Sequence, residues 1–200
     1  MRADAFWRRK LIIETTANLL INQGTDFTVE LVAKKAGVGT ATVYRHFPTR
    51  ADLLEEALSH VADKTNTLIQ KIINDIKTGS ISTLNALQVL NHHFPETGIN
   101  ALLPLLIYAD FDSLTDKLQK QRKQTITLFH NLIEHFHDSG LVHNSISALS
   151  FFNGLMIIHT AQLFYPSDAS PEDATSKQVL LTIFLNGCKY GTNPINPPAI

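Results

Sequence analysis

The chain has 200 residues and a mass of 22.3 kDa, room for one large domain or two small ones. Its 44% hydrophobic and 18% charged content excludes a disordered chain, and its single cysteine, Cys188, excludes a disulfide framework or a multi-cysteine metal site. The net charge of −1 hides an asymmetry: residues 1–50 hold eight Lys/Arg against four acids and residues 51–200 hold nine against fourteen, so only the basic head is suited to a polyanion or an anionic surface.

Helical spacing recurs throughout and period-two alternation is scarce, which predicts an all-α fold. The first helix is expected over 5–22, with Ile12, Thr16, Leu19 and Leu20 on one face and Gly24 just past its end. Thr28 reads as the N-cap of a short helix running to Ala36, with Glu30 in its first turn and Val29, Val32, Ala33 and Ala36 facing inward. Gly37-Val38-Gly39 forms a turn. Thr40 opens a second short helix that ends near Phe47, where Pro48 blocks continuation. Thr49 then caps a long helix running to Lys77.

Five more helices are expected, over 82–93, 98–109, 111–138, 145–165 and 171–190. The last starts at Ser170 as cap with Pro171 in the first turn. Residues 192–200 read as a tail. The apolar run 102–109 is too short to cross a bilayer and contains Pro104. The opening MRADAFWRRKLIIE has charges on both sides of a short apolar patch, unlike a secretory signal. The expectation is a soluble cytoplasmic protein with no membrane segment.

Two short helices joined by a Gly-containing turn, behind a longer amphipathic helix, are the layout of a helix-turn-helix. Ala33 and Ala36 let the two helices approach, and Val38 and Val43 pin the second one to the core. That leaves Thr40, Ala41, Thr42, Tyr44, Arg45 and His46 outward, short polar or planar groups that can enter a major groove. Thr49 and Arg50 place a helix N-terminus beside a guanidinium, where a phosphate can bind. Phe47 reads as core. Lys34 and Lys35 read as a solvated face, and Arg8, Arg9 and Lys10 serve equally as an arm on DNA or as solubilising charge.

The run FTVELVAKKAGVGTATVYRHFPTRADLL, residues 27–54, resembles the DNA-binding segment of the tetracycline-repressor (TetR) family. The matching pieces are Thr28-Val29, Val32-Ala33, Ala36-Gly37-Val38, Thr42-Val43-Tyr44, His46-Phe47 and Arg50 to Leu53. The resemblance implies a DNA-binding head over 1–50, a connecting helix over 49–77 and a ligand-binding and dimerisation body over 51–191. It implies a homodimer on a two-fold double-stranded DNA operator, released by a small-molecule effector. Carried over by position, Thr40, Ala41, Tyr44 and Arg45 face base edges, while Thr28, Thr42, Tyr44, His46 and Arg50 hold phosphates. Thr16 replaces the alanine usual in the family's first helix. Glu30 stands where some members place a base-reading residue.

In the body, the resemblance places the dimer interface on the last two helices, with Leu149, Phe152, Met156, Ile183 and Gly187 as candidates. Candidate lining for an effector pocket is His92, His93, Phe94, Leu102, Leu106, Tyr108, Phe129, His130, Phe151, Phe152 and His159. His130, Glu134 and His137 share one helix face, but no second Glu-x-x-His appears, so the ordinary reading is a solvated face without metal. No nucleophile–base pair and no Gly-rich phosphate loop is visible, so neither an enzyme nor a cofactor is expected. The alternatives are a helical metalloenzyme and a protein-interaction module that does not bind DNA.

Overall fold

A computed structural model of the chain describes residues 2–98, 115–160 and 171–191. Its eight described helices are α1 (Arg2–Gln23), α2 (Val29–Lys35), α3 (Thr40–His46), α4 (Arg50–Lys77), α5 (Thr83–Thr97), α6 (Asp116–Asp138), α7 (Ala148–Thr160) and α8 (Pro171–Tyr190), with no strand among the described residues. No described helix is long and apolar enough to cross a membrane. The expected helix over 98–109, with Leu102, Leu106 and Tyr108, lies outside the described residues, as do the Ser170 cap and the tail over 192–200.

The chain groups into two compact units, Met1–Leu68 with His93–Ile126 and Ile69–His92 with Thr127–Ile200. In the first, α1 buries the predicted stripe of Ile12, Thr16, Leu19 and Leu20, joined by Ala17. Thr16 fits this apolar stripe because its hydroxyl donates to the Ile12 carbonyl at 2.8 Å, which satisfies it within its own turn. At the start of α4, Thr49 and Asp52 cap each other: the Thr49 amide donates to Asp52 Oδ2 at 2.9 Å and the Asp52 amide donates to Thr49 Oγ1 at 3.1 Å. Leu53, Ala57 and Val61 then bury at i, i+4 and i+8. On another face of α4, Gln121 of α6 donates to Ser59 Oγ at 2.9 Å and to Asp63 Oδ1 at 2.8 Å, and Thr125 donates to Asn66 Oδ1 at 2.8 Å.

In the second unit, Phe129, Leu132, Ile133 and Phe136 of α6 are buried with Phe151, Phe152, Leu155 and Met156 of α7. Phe129 and Phe152 stack with centroids 3.9 Å apart, and Phe136 and Phe151 tilt together at 5.9 Å. Gly154 lets α8 approach: a Cβ there would overlap the Phe184 ring. The His143 amide donates to the Cys188 carbonyl at 2.7 Å, which ties the α6–α7 connection to the end of α8.

Three helix ends differ from expectation. α5 runs past His93 and through Pro95 to Thr97, whose hydroxyl donates to the Phe94 carbonyl at 2.7 Å in the last turn. α6 begins at Asp116 rather than in the 111 region, with Thr115 Oγ1 accepting from the Leu118 amide at 3.4 Å. α7 begins at Ala148 rather than Ser145. Ser147 is the cap, and the Ser145 amide is taken by His143 Nδ1 at 3.1 Å.

Gly98 closes α5 at φ +78°, a backbone shape that L side chains rarely adopt, and a Cβ there would fall 2.5 Å from the Ile21 side chain. Gly98→Ala combines a left-handed penalty with overpacking and should lower stability by about 2 kcal/mol. Urea unfolding of the two proteins measures this.

Candidate nucleic-acid interface

The head is built by burial on one side of each short helix. Thr28 caps α2, its Oγ1 accepting from the Leu31 amide at 3.3 Å. Val29, Val32, Ala33 and Ala36 are all buried. Gly37 takes φ +66° and lets the Val38 amide donate back to the Ala33 carbonyl at 3.0 Å, which turns the chain sharply out of α2. Gly39 caps α3 through its backbone alone: the Thr42 and Val43 amides donate to its carbonyl at 2.8 and 3.3 Å.

α3 packs on α1 and α2. Its anchors are Val43, 1% exposed, and Phe47 just beyond its end, 2% exposed. With those two turned inward, Ala41, Tyr44 and Arg45 are exposed and Thr40, Thr42 and His46 are half-buried at the same outer surface. Tyr44 is 45% exposed, large for an aromatic ring with no role in the core. The Arg45 guanidinium donates to Thr42 Oγ1 at 3.1 Å, so these two neighbours present one preorganised donor–acceptor edge. Thr28 and Arg50 are also exposed.

Residues 12–57 match the family model for bacterial regulatory proteins of the tetR family. The head is thus similar to that family over these residues. The chain is 35% identical over 71 residues to the nucleoid occlusion factor SlmA of Alteromonas mediterranea, covering 35% of this chain and 36% of that one. It is 30% identical over 115 residues to the HTH-type transcriptional regulator SAR0097 of Staphylococcus aureus, covering 46% of this chain and 59% of that one. The alignment thus spans between about a third and three fifths of these curated relatives. The fold matches the TetR transcriptional regulator SCO0520 of Streptomyces coelicolor with a TM-score of 0.57 at 21% identity, over 90% of this chain and 97% of that one. It also matches the fatty acid degradation regulator FadR of Bacillus halodurans with a TM-score of 0.56 at 18% identity, over 92% and 99%.

Several basic groups of this head are engaged within the protein. Arg50 donates to the Thr25 carbonyl at 2.5 Å and to the Phe27 carbonyl at 3.4 Å, with its guanidinium 5.6 Å from the Phe27 ring centroid. Asp52 already takes the Thr49 amide at the α4 N-terminus. Both groups expected to meet a phosphate there have internal partners. Arg9 lies within α1, not on an arm before it. It pairs with Glu56 at 2.9 Å and stands 5.0 Å over the Phe47 ring. Lys34 and Lys35 are exposed, as a solvated face requires.

The described residues of the expected effector lining occupy both buried and exposed positions. His92 and His130 are exposed. His93 Nδ1 lies 2.8 Å from Glu96 Oε2. Phe94, Phe129, Phe151 and Phe152 are buried, the last three in the aromatic packing of the second unit. His159 is buried with Nε2 2.8 Å from Asn91 Oδ1. His130, Glu134 and His137 form no metal-ligating cluster among the described residues, since His137 Nε2 is 3.0 Å from the Ile146 carbonyl. Of the expected interface residues, Leu149, Ile183 and Gly187 are exposed, whereas Phe152 and Met156, each 3% exposed, are core of the protomer.

Burial works against ionisation of Glu56, but hydrogen bonds from Lys117 (2.8 Å) and Arg9, with their positive charges, hold its carboxyl below the ordinary value of 4.5. Its contribution is complete at neutral pH and fades as acid protonates it through that lowered value. Glu56→Gln should therefore cost about 1 kcal/mol at neutral pH, with the gap to the parent closing in strong acid. Denaturant midpoints of both proteins across the acid range check this.

Proposed function

We propose that this protein is a DNA-binding transcriptional regulator that acts as a homodimer, occupies a palindromic operator as a repressor, and is released by a small-molecule effector. The observation that carries the reading is the outer surface of α3: a helix anchored by Val43 and Phe47 that presents Thr40, Ala41, Thr42, Tyr44, Arg45 and His46 away from the core. Thr40, Ala41, Tyr44 and Arg45 read base edges in the major groove. Thr28, Thr42, Tyr44 and His46 position the head on phosphates, and Arg50 joins them through donors not used on Thr25 and Phe27. In this reading residues 1–50 are the DNA-binding head and residues 51–191 the sensing and dimerising body. The one helix Arg50–Lys77 connects them and transmits the effector's differential affinity.

The dimer reading is supported by apolar side chains left uncovered in the second unit. Leu149 and Ile157 of α7 are 56% and 66% exposed, and Val179 and Ile183 of α8 are 50% and 62% exposed. Exposed groups eight apart on one helix and four apart on the next form stripes suited to a bundle with a second copy. A two-fold dimer would set its two α3 helices about 34–36 Å apart, one turn of DNA.

Selection from random duplex DNA should return an inverted repeat. Tyr44→Ala should weaken binding to the selected fragment at least about tenfold while leaving helix content and oligomeric state unchanged, a loss in the range of a lost base contact. Unchanged affinity would remove α3 from the groove. Ile183→Glu should convert the dimer to monomer in sedimentation at micromolar concentration, because an unpaired carboxylate is placed in an apolar interface. A dimer that persists would place the interface elsewhere.

A further inference from the structure

A cleft of about 240 Å³ opens within the first unit, and none of the expected effector residues lines it. One wall is α1, with Glu14, Ala17, Asn18 and Ile21 at i, i+3, i+4 and i+7. The other is α4, with His60, Val61 and Lys64, and Thr97 of α5 completes the lining. Ala17, Ile21 and Val61 give an apolar floor. Glu14, Asn18, His60 and Lys64 place one carboxylate, one amide, one imidazole and one ammonium around it.

The chemistry of these groups narrows the ligand. Glu14 has Lys10 at 3.7 Å, a long pair that leaves most of its acceptor capacity unused. Lys64 Nζ donates to the Glu96 carbonyl at 3.3 Å, which leaves two of its three donors. The Thr97 hydroxyl is committed to the Phe94 carbonyl at 2.7 Å. Partial burial holds the His60 imidazole below its ordinary value, with Lys64 and Lys10 in the same direction and Glu14 and Asp63 opposing. The cleft therefore offers one negative and one positive pole beside neutral hydrogen-bonding groups, over a small apolar floor. A lone anion or a lone cation would meet a like charge there. A small zwitterion meets two opposite ones.

We propose that this cleft is an effector site for a small zwitterion of the α-amino-acid class. Glu14 receives the ammonium, Lys64 the carboxylate, and the floor at Ala17, Ile21 and Val61 a modest apolar side chain. The volume fits such a ligand and falls below the roughly 300–1,000 Å³ of drug-sized sites. Occupancy acts between α1, which supports α3, and α4, which leaves α3 at Pro48. Gly98, where a Cβ would fall 2.5 Å from Ile21 and 3.5 Å from Val61, lies against two of the lining side chains. The proposal deepens the regulator reading by naming the effector class, and it rests on that reading only for the effect on DNA.

The test uses the full chain and the standard α-amino acids, each at millimolar concentration, with amide chemical shifts as readout. At least one should give saturable shifts in residues 14–21 and 60–64. Glu14→Gln and Lys64→Met should each weaken that binding about tenfold, as loss of a charge-assisted contact does. The amine and the carboxylic acid that each keep only one of its two charged groups should bind as weakly as the variants do to the parent ligand. The bound amino acid should also change affinity for the selected DNA. Absence of saturable shifts, equal binding by both variants, equal binding by either single-charge analogue, or binding with no change in DNA affinity would each overturn the proposal. Failure of the regulator reading is seen separately, as failure of the unliganded parent protein to bind any selected DNA.

Discussion

Two buried side chains, Val43 and Phe47, determine what the head of this protein can present. α3 has seven residues, too few to be helical by propensity alone. It exists because Val43 and Phe47, four apart, are almost wholly buried in the unit that contains α1 and α2. Once those positions are taken, the remaining side chains of the helix have nowhere to go but outward. Gly37 sets the angle at which this happens, since its positive φ turns the chain within the few residues between α2 and α3. The outer surface of α3 is thus a consequence of core packing, and its residues are free to vary in chemistry without unfolding the helix that displays them.

The same economy governs charge. The basic excess of the first 50 residues is not all directed outward. Arg9 spans Glu56 and the Phe47 ring, and Arg50 braces the loop at Thr25 and Phe27. These guanidiniums fasten the ends of α3 and α2 to their supports. Arg9 reinforces the very ring that anchors α3. What faces solvent on α3 itself is Ala41, Tyr44 and Arg45, flanked by the half-buried Thr40, Thr42 and His46; in the proposed reading this surface discriminates by fit to base edges more than by bulk attraction to phosphate.

The head was largely legible from sequence because its signals are local. Thr28, Gly24, Gly37 and Thr49 act within a few residues of their own positions, and the structure uses these cap and turn positions. Thr115 and Ser147 are not distinguished as caps by sequence, because neighbouring residues, Ser145 above all, offer the same chemistry and only the packing chooses between them. α7 was harder for another reason. In ALSFFNGLMIIHT apolar residues stand on nearly every face, so spacing does not tell which go inward. Phe152 and Met156 fill the protomer, while Leu149 and Ile157 remain outside. The histidines of the expected pocket have no periodic apolar partner that fixes which way they face. The residues that do line a cleft, Glu14, Asn18, His60 and Lys64, look like solvated faces until α1 and α4 are brought side by side.

Hydroxyl-radical footprinting of the unliganded protein on a fragment recovered by selection tests the central claim most directly, because it reads both the groove and the number of heads. The account predicts two protected segments related by two-fold symmetry, with centres about one helical turn apart. A single protected segment, or protection spread evenly without a sequence-fixed centre, would contradict it.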